Sequence, residues 1–135
     1  SQISFPGGKV ELLDRSLDAT ALRETHEEIG VAPEQVSIVK AFSEVYIPPS
    51  NFMVVPYLGY SKEELIFKLD SREVSSIIEL SIIDFLDENN LTTQKMETSY
   101  MKEIEIPVFK FGDKIVWGAT AMMLSELKEV LKKVL

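Results

Sequence analysis

The chain has 135 residues, of which 45% are hydrophobic and 27% charged, and 14 Lys and Arg against 22 Asp and Glu leave a net charge of −8. That gives room for one domain and one sizeable core, and an acidic chain with no cationic stripe is ill suited to displacing counterions from nucleic acid. Cysteine is absent, which excludes disulfides, thiolate zinc sites and thiol catalysis, and the uncharged stretch 46–60 is broken by Pro48, Pro49, Ser50, Asn51 and Pro56, so nothing reaches the ~18 apolar residues of a membrane span. No membrane partner is expected, and a reducing, cytoplasmic setting fits this composition.

The elements follow in chain order as one α+β unit over residues 1–135. Ser16-Leu17-Asp18 supplies an N-cap and a first-turn acid, and Gly30 followed by Pro33 supplies a stop, which predicts a helix over 17–29. From 36 to 47, Ile38, Phe42 and Tyr46 share one parity, with Val39, Ala41, Val45 and Ile47 on the other, and this predicts a strand with at least one buried face. Pro48-Pro49-Ser50-Asn51 marks a turn. The β-branched and aromatic run 52–60 predicts a strand that Pro56 places at an edge or a bulge. Residues 65–69 and 74–80 are further strand candidates, and 81–87 a short helix. Ile104, Ile106 and Val108 alternate with Glu105 and Pro107, and Gly112-Asp113 is a hairpin signal before Ile115-Val116-Trp117. A closing helix carries Ala119, Met122, Met123, Leu127, Val130, Leu131 and Val134 at spacings of three and four, with both methionines read as core filler.

The first helix holds the chemistry. At about 100° per residue, Arg23, Glu24, Glu27 and Glu28 fall within about 140° of one another, while Leu22, Thr25 and Ile29 point the opposite way. Like charges at (i, i+3) and (i, i+4) each cost the helix roughly 0.2–0.5 kcal/mol. A solvated face is the bland explanation. A divalent cation is the sharper one, because Mg²⁺ and Mn²⁺ take carboxylate and phosphate oxygens. Just upstream, Phe5-Pro6-Gly7-Gly8-Lys9 is a turn whose glycines let backbone groups approach a ligand closely.

Gly8, Asp14, Arg23-Glu24, Glu27-Glu28, Gly30 and Val31 resemble the box of the Nudix hydrolases. Three departures stand out: Asp14 replaces a Glu, eight residues instead of seven separate it from Arg23, and Thr25 replaces an apolar residue. The first two of these, with Phe5-Pro6-Gly7-Gly8-Lys9, Ala19-Thr20-Ala21-Leu22-Arg23-Glu24, Tyr46 to Phe52 with Pro56, and Trp117 to Ala121, are similar to the coenzyme A pyrophosphatase branch of that family. The resemblance implies an α/β/α sandwich, with the box helix on one side of a mixed sheet and a C-terminal helix on the other. It also implies strands ahead of the box, so the chain is expected to lack its N-terminal strand or strands and to leave a sheet edge open beside residues 1–5.

The implied reaction is Mg²⁺- or Mn²⁺-dependent attack of water on a pyrophosphate. Glu24 and Glu28 would be the principal metal ligands, Glu27 a further ligand or the base, and the Gly7 carbonyl a backbone ligand. Arg23 would orient the carboxylates and Asp14 would brace the loop. Glu73 is the candidate for a further catalytic carboxylate from a later loop, ahead of Glu44 and Glu97. His26 lies on the border of the acidic face. Tyr46, Phe52, Tyr100 and Trp117 are aromatic enough to stack on a base, though strand aromatics are usually core. The implied substrate is coenzyme A or an acyl-CoA, a small nucleotide. Another nucleoside diphosphate derivative and a catalytically silent nucleotide-binding module remain alternatives. Of the cations near the box, Lys9 and Arg15 are available, so the cation for the coenzyme's 3′-phosphate is expected upstream of Ser1 or on the partner subunit of a homodimer.

Overall fold

The computed structural model describes residues 2–48, 50–98 and 101–135, with side chains described for all of these except 96–98 and 101–104. Ser1, Pro49 of the predicted turn, Tyr100 and the Glu97 side chain lie outside that description. The chain divides into two units of packing, Phe5–Ile78 and Glu79–Leu135 with Ser1–Ser4.

In the first unit, helix α1 spans Leu17–Ile29, as its end signals predict. Ser16 Oγ accepts from Ala19 N–H, and the Gly30 N–H closes the last turn on the His26 carbonyl. Gly30 sits at φ 75°, and a Cβ there would come within 2.8 Å of the Lys68 carbonyl oxygen, so both backbone shape and space call for glycine. A 3₁₀ turn, Pro33–Gln35, leads to β1 (Ser37–Ala41), which pairs antiparallel with β4 (Tyr57–Tyr60). Between them, β2 (Val45–Ile47) and β3 (Phe52–Val54) form a second antiparallel pair. Val31, Phe42 and Val45 are the buried apolar residues of this unit.

Three expectations need correction here. The strand predicted over 36–47 is two strands: the Phe42 N–H still donates to the Pro56 carbonyl at 2.8 Å, in line with the β1–β4 register, but Pro56 has no N–H to return and the ladder ends there. Its burial was also overestimated: Val39 is 61% exposed. Residues 65–69 and 74–80 form no strand. The Lys68 and Asp70 amides instead donate to the Ile29 and Glu28 carbonyls, both at 2.9 Å, and a turn at Asp70–Val74 follows. This segment therefore serves as the C-terminal clasp of α1.

The second unit holds α2 (Ile82–Leu86), a 3₁₀ turn (Glu88–Asn90), and a three-stranded antiparallel sheet of β5 (Leu91–Thr98), β6 (Met101–Phe111) and β7 (Lys114–Val116). Phe111 pairs with Lys114 across the Gly112-Asp113 turn, as predicted. Helix α3 spans Gly118–Val134. Phe85, Phe109, Val116, Ala121 and Leu124 form the core, with Ile3, Leu86, Phe111, Leu127 and Leu131 against it. The Phe85, Phe109 and Phe111 ring centroids lie 6.0–6.4 Å apart. Met122 is 61% exposed and is not core filler. The buried stripe runs instead through Ala121, Leu124 and Lys128. A lysine in the stripe hid it from the hydrophobic pattern. Its ammonium stays paired, with Nζ 3.1 Å from Glu88 Oε2 while Lys132 Nζ takes the other oxygen at 2.9 Å.

Helices and small antiparallel sheets give the α+β class expected. Residues 2–5 belong to no strand, and no described helix is long and apolar enough to cross a membrane. Phe109 is 1% exposed at the centre of the aromatic cluster. Truncating it in Phe109→Ala should cost about 3–5 kcal/mol, read as a fall in the urea midpoint at unchanged slope.

Candidate functional site

The site begins at a turn. Residues Glu11 to Asp14 close on themselves, the Asp14 N–H donating to the Glu11 carbonyl at 3.0 Å and the Glu11 N–H to Asp14 Oδ2 at 2.8 Å. Asp14 then reaches the helix. Its Oδ1 accepts from Arg23 Nε at 3.0 Å, and its Oδ2 accepts from Arg23 NH2 at 3.1 Å and from Thr20 Oγ1 at 2.9 Å. The Asp14 side chain is 6% exposed. A fork-to-fork guanidinium–carboxylate pair is the most directional ion pair available to a protein. Hydrogen bonds from Arg23 hold the Asp14 carboxyl far below the usual range, and Asp14 in turn raises the arginine.

Arg23 is divided between two tasks. Nε and NH2 hold Asp14, and NH2 also donates to the Lys9 carbonyl at 3.0 Å. NH1 turns to the acidic face, donating to Glu24 Oε1 at 2.7 Å and to Glu27 Oε2 at 2.8 Å, with Glu11 Oε2 at 3.5 Å. The glycine turn lies against the same face. A Cβ on Gly8 would sit 2.6 Å from the Glu24 carboxylate, and the Gly7 N–H donates to Glu28 Oε2 at 2.9 Å. Gly7 thus meets Glu28 through its N–H.

Burial pushes the Glu28 carboxyl up, and the charges of Glu24, Glu73 and Glu27 push it the same way, against the pull of the Gly7 N–H. Glu73 sits in the Asp70–Val74 turn that clasps the end of α1, so its charge reaches the box. The structure therefore brings together Gly7, Arg23, Glu24, Glu27, Glu28 and Glu73. Glu44 lies exposed in the break between β1 and β2. His26 is exposed, and its contribution is the carbonyl that takes the C-cap. Two participants escaped the sequence reading: the Lys9 carbonyl and the Glu11 carboxylate. A carbonyl leaves no mark in a sequence, whereas Glu11, three residues before Asp14, was available to a capping-turn reading.

Donor type suits a hard divalent cation: the charges of Glu24, Glu73 and Glu27 bear on Glu28, and a Cβ at Gly8 would meet the Glu24 carboxylate, whereas Gly7 has open space around it. Convergence is not yet present, because among the described residues no three acidic side chains are arranged to hold one ion. The remaining candidates make other contacts. Lys9 Nζ stands 5.0 Å over the Phe52 ring, and the Tyr46 hydroxyl meets Asn51 Oδ1. Trp117 is the N-cap residue of α3 in the other unit.

Comparison with known proteins gives one consistent result. The family described as the NUDIX domain matches residues 1–100. An uncharacterized Nudix hydrolase, NudL, of Enterobacter sp. (strain 638) is 31% identical over 133 residues, covering 93% of this chain and 65% of its own length. The NudL of Pectobacterium atrosepticum is 28% identical over 130 residues, with the same coverage of 93% and 65%. A probable nudix hydrolase of Schizosaccharomyces pombe is 29% identical over 124 residues, covering 92% of this chain and 43% of its own length. The chain thus spans roughly two thirds or less of the curated relatives it matches.

The Asp14 pair makes the acid limb of stability predictable. A carboxyl depressed in the folded state adds stability that is full above its ordinary value of 3.8 and is lost as pH falls toward the folded value. Asp14→Asn should therefore be clearly less stable than wild type at pH 7. Urea denaturation should show the gap narrowing steadily below about pH 4.

Proposed function

The chain belongs to the NUDIX domain family, and on that premise we propose that it is a divalent-metal-dependent pyrophosphohydrolase whose substrate is coenzyme A or an acyl-CoA, cut to adenosine 3′,5′-bisphosphate and (acyl) 4′-phosphopantetheine. The observation that carries the hydrolase reading is the half-buried Glu28, set among the charges of Glu24, Glu73 and Glu27 beside the Gly7-Gly8 turn. Such a cluster is a cost to the fold unless a cation offsets it. Nudix hydrolases generally use divalent metals such as Mg²⁺. Here Glu24, Glu28 and Glu27, with the Gly7 carbonyl, would hold Mg²⁺ or Mn²⁺, which when bound neutralises pyrophosphate oxygens and acidifies water.

The chain's own groups then have separable tasks. Water forms a bond to one phosphorus, the bridging P–O bond breaks, and the proton of the water passes to a carboxylate. Glu27 is the proposed acceptor, since its side chain is 55% exposed at the open end of the cluster and can meet a bound water. Glu73 adds a further carboxylate from the Asp70–Val74 turn. Arg23 orients Glu24 and Glu27 and does not touch substrate, and Asp14 fixes Arg23 to the loop. The coenzyme A assignment rests on the eight-residue spacing between Asp14 and Arg23 and on the similarity of Tyr46 to Phe52 and Trp117 to Ala121 to that branch.

Glu28→Gln and Glu24→Gln should each lower turnover by about 10²-fold or more, since each removes a charged ligand and no packing. Because the folded state disfavours the charged form of Glu28, Glu28→Gln should melt without metal no lower than wild type. Full activity of either variant, or of wild type in excess chelator, would sink the mechanism.

Substrate choice is tested separately. With Mn²⁺ and a panel of pyrophosphate compounds, coenzyme A should show a higher kcat/KM than ADP-ribose, dinucleotides or nucleoside triphosphates. A reversed ranking would leave the hydrolase and remove coenzyme A. Absence of hydrolysis across the panel, with nucleotide binding retained, would favour a silent binding module.

A further inference from the structure

The acidic face of α1 is already occupied, and its occupant is a side chain of the same helix. Glu24, Glu27 and Glu28 share that face, yet among the described residues no three acidic groups converge where one ion would sit. Two contacts hold their oxygens instead. Arg23 NH1 holds Glu24 Oε1 at 2.7 Å and Glu27 Oε2 at 2.8 Å, and the Gly7 N–H holds Glu28 Oε2 at 2.9 Å. A cation seeking carboxylate oxygens here meets a guanidinium nitrogen bonded to two of them.

We propose that Arg23 is an internal counter-ion of the acidic face, a positioning residue that competes with the divalent metal for Glu24 and Glu27. The inference rests on the metal-dependent reading above and adds a sign to it: an arginine that only oriented the carboxylates would favour metal binding, whereas a competing one opposes it.

The division of the guanidinium makes an exchange feasible. Nε and NH2 are committed to Asp14 and to the Lys9 carbonyl, none of which belongs to the acidic face, and Asp14 is also held by Thr20 and by the Glu11 N–H. Losing the NH1 bonds therefore leaves the arginine seated on the loop. Of the two NH1 bonds the one to Glu27 is the weaker: Glu27 is 55% exposed where Glu24 is 17% and Asp14 6% exposed, and water screens the exposed pair far more. An exposed pair shifts an equilibrium by roughly 1.4- to 5-fold, and the part-buried Glu24 pair adds to that. In metal-free protein the arginine keeps mutually repelling carboxylates together; with metal, its NH1 is released.

The test is Mn²⁺ affinity, measured from the electron paramagnetic resonance signal of free Mn²⁺, in wild type and Arg23→Gln. The variant should bind Mn²⁺ at least about 2-fold more tightly while melting lower than wild type without metal, and saturating Mn²⁺ should raise its melting temperature by more than it raises wild type's. Unchanged or weaker binding overturns the proposal and leaves the metal reading in place. Wild type that binds no Mn²⁺ overturns both. Should Arg23→Gln fail to fold, ¹⁵N spectra of the arginine side chains in wild type decide: on titration with Mg²⁺ the Arg23 Nε–H should stay protected by Asp14 while the NH1 group gains rotational freedom. An NH1 group that stays restrained at saturating Mg²⁺ overturns the proposal.

Discussion

The site hangs on one ion pair, Asp14 with Arg23. Asp14 accepts from Arg23 Nε and NH2, from Thr20 Oγ1 and from the Glu11 amide, which saturates two nearly buried oxygens and joins the loop to the helix. Once the guanidinium plane is fixed by that fork, NH1 can only lie over the acidic face, and NH2 draws in the Lys9 carbonyl. The position of Lys9 in turn limits where Gly7 and Gly8 run, close enough to α1 for a Gly7 amide to reach Glu28 and for the Gly8 backbone to touch Glu24. A glutamate in place of Asp14 would add a methylene to a contact with little exposed space.

Helix α1 was readable because every signal on it agreed: a side-chain N-cap, an αL glycine stop and an amphipathic period. The acidic constellation was readable for the same reason, since charge at helical spacing is a local property. The errors occurred where backbone pairing departed from the side-chain pattern. Phe42 sits in a run of strand formers and its N–H pairs with the Pro56 carbonyl, but Pro56 has no N–H to return, so the ladder ends there. Lys68 and Asp70 lie in or beside an apolar alternation, yet their amides satisfy the C-terminal carbonyls of α1. Strand β5, Leu-Thr-Thr-Gln-Lys-Met-Glu-Thr, carries no apolar alternation, and residues 91–95 are exposed. Its pairing with β6 is specified by the partner and the turns, which a reading of hydrophobic period does not register.

Among the described residues, Asp14 in one unit and Lys128 in the other are nearly buried charged side chains, and the two solve desolvation differently. Lys128, in the apolar stripe of α3, runs beneath the Phe109 ring, with its ammonium 5.9 Å from the ring centroid, and ends on Glu88. Glu88 is 65% exposed and shared with Lys132, and these two lysines hold its carboxyl below the usual range. One end of that pair therefore stays in water, and the methylene stem does the packing. Asp14 has no stem to bury and no exposed partner of comparable reach. It is instead saturated from four directions. The first arrangement tolerates rearrangement of its exposed end. The second does not, because any lost donor leaves a nearly buried carboxylate oxygen unpaired.

That difference explains why the site can be firm and yet exchangeable. The anchored half of Arg23 faces an acid with nowhere else to turn, whereas its NH1 faces acids that gain by turning away, since Glu24 and Glu27 both raise the cost of charging Glu28. A cation bound among the three would relieve that repulsion more completely than a single shared nitrogen does. Carboxylates on one helix face are tethered within a side chain's reach of one another, so positive charge delivered to the face is the direct way to offset their repulsion. Arg23 supplies one charge through one nitrogen. On the reading proposed above, a divalent ion would supply two charges and accept several oxygens, which a single guanidinium nitrogen cannot do.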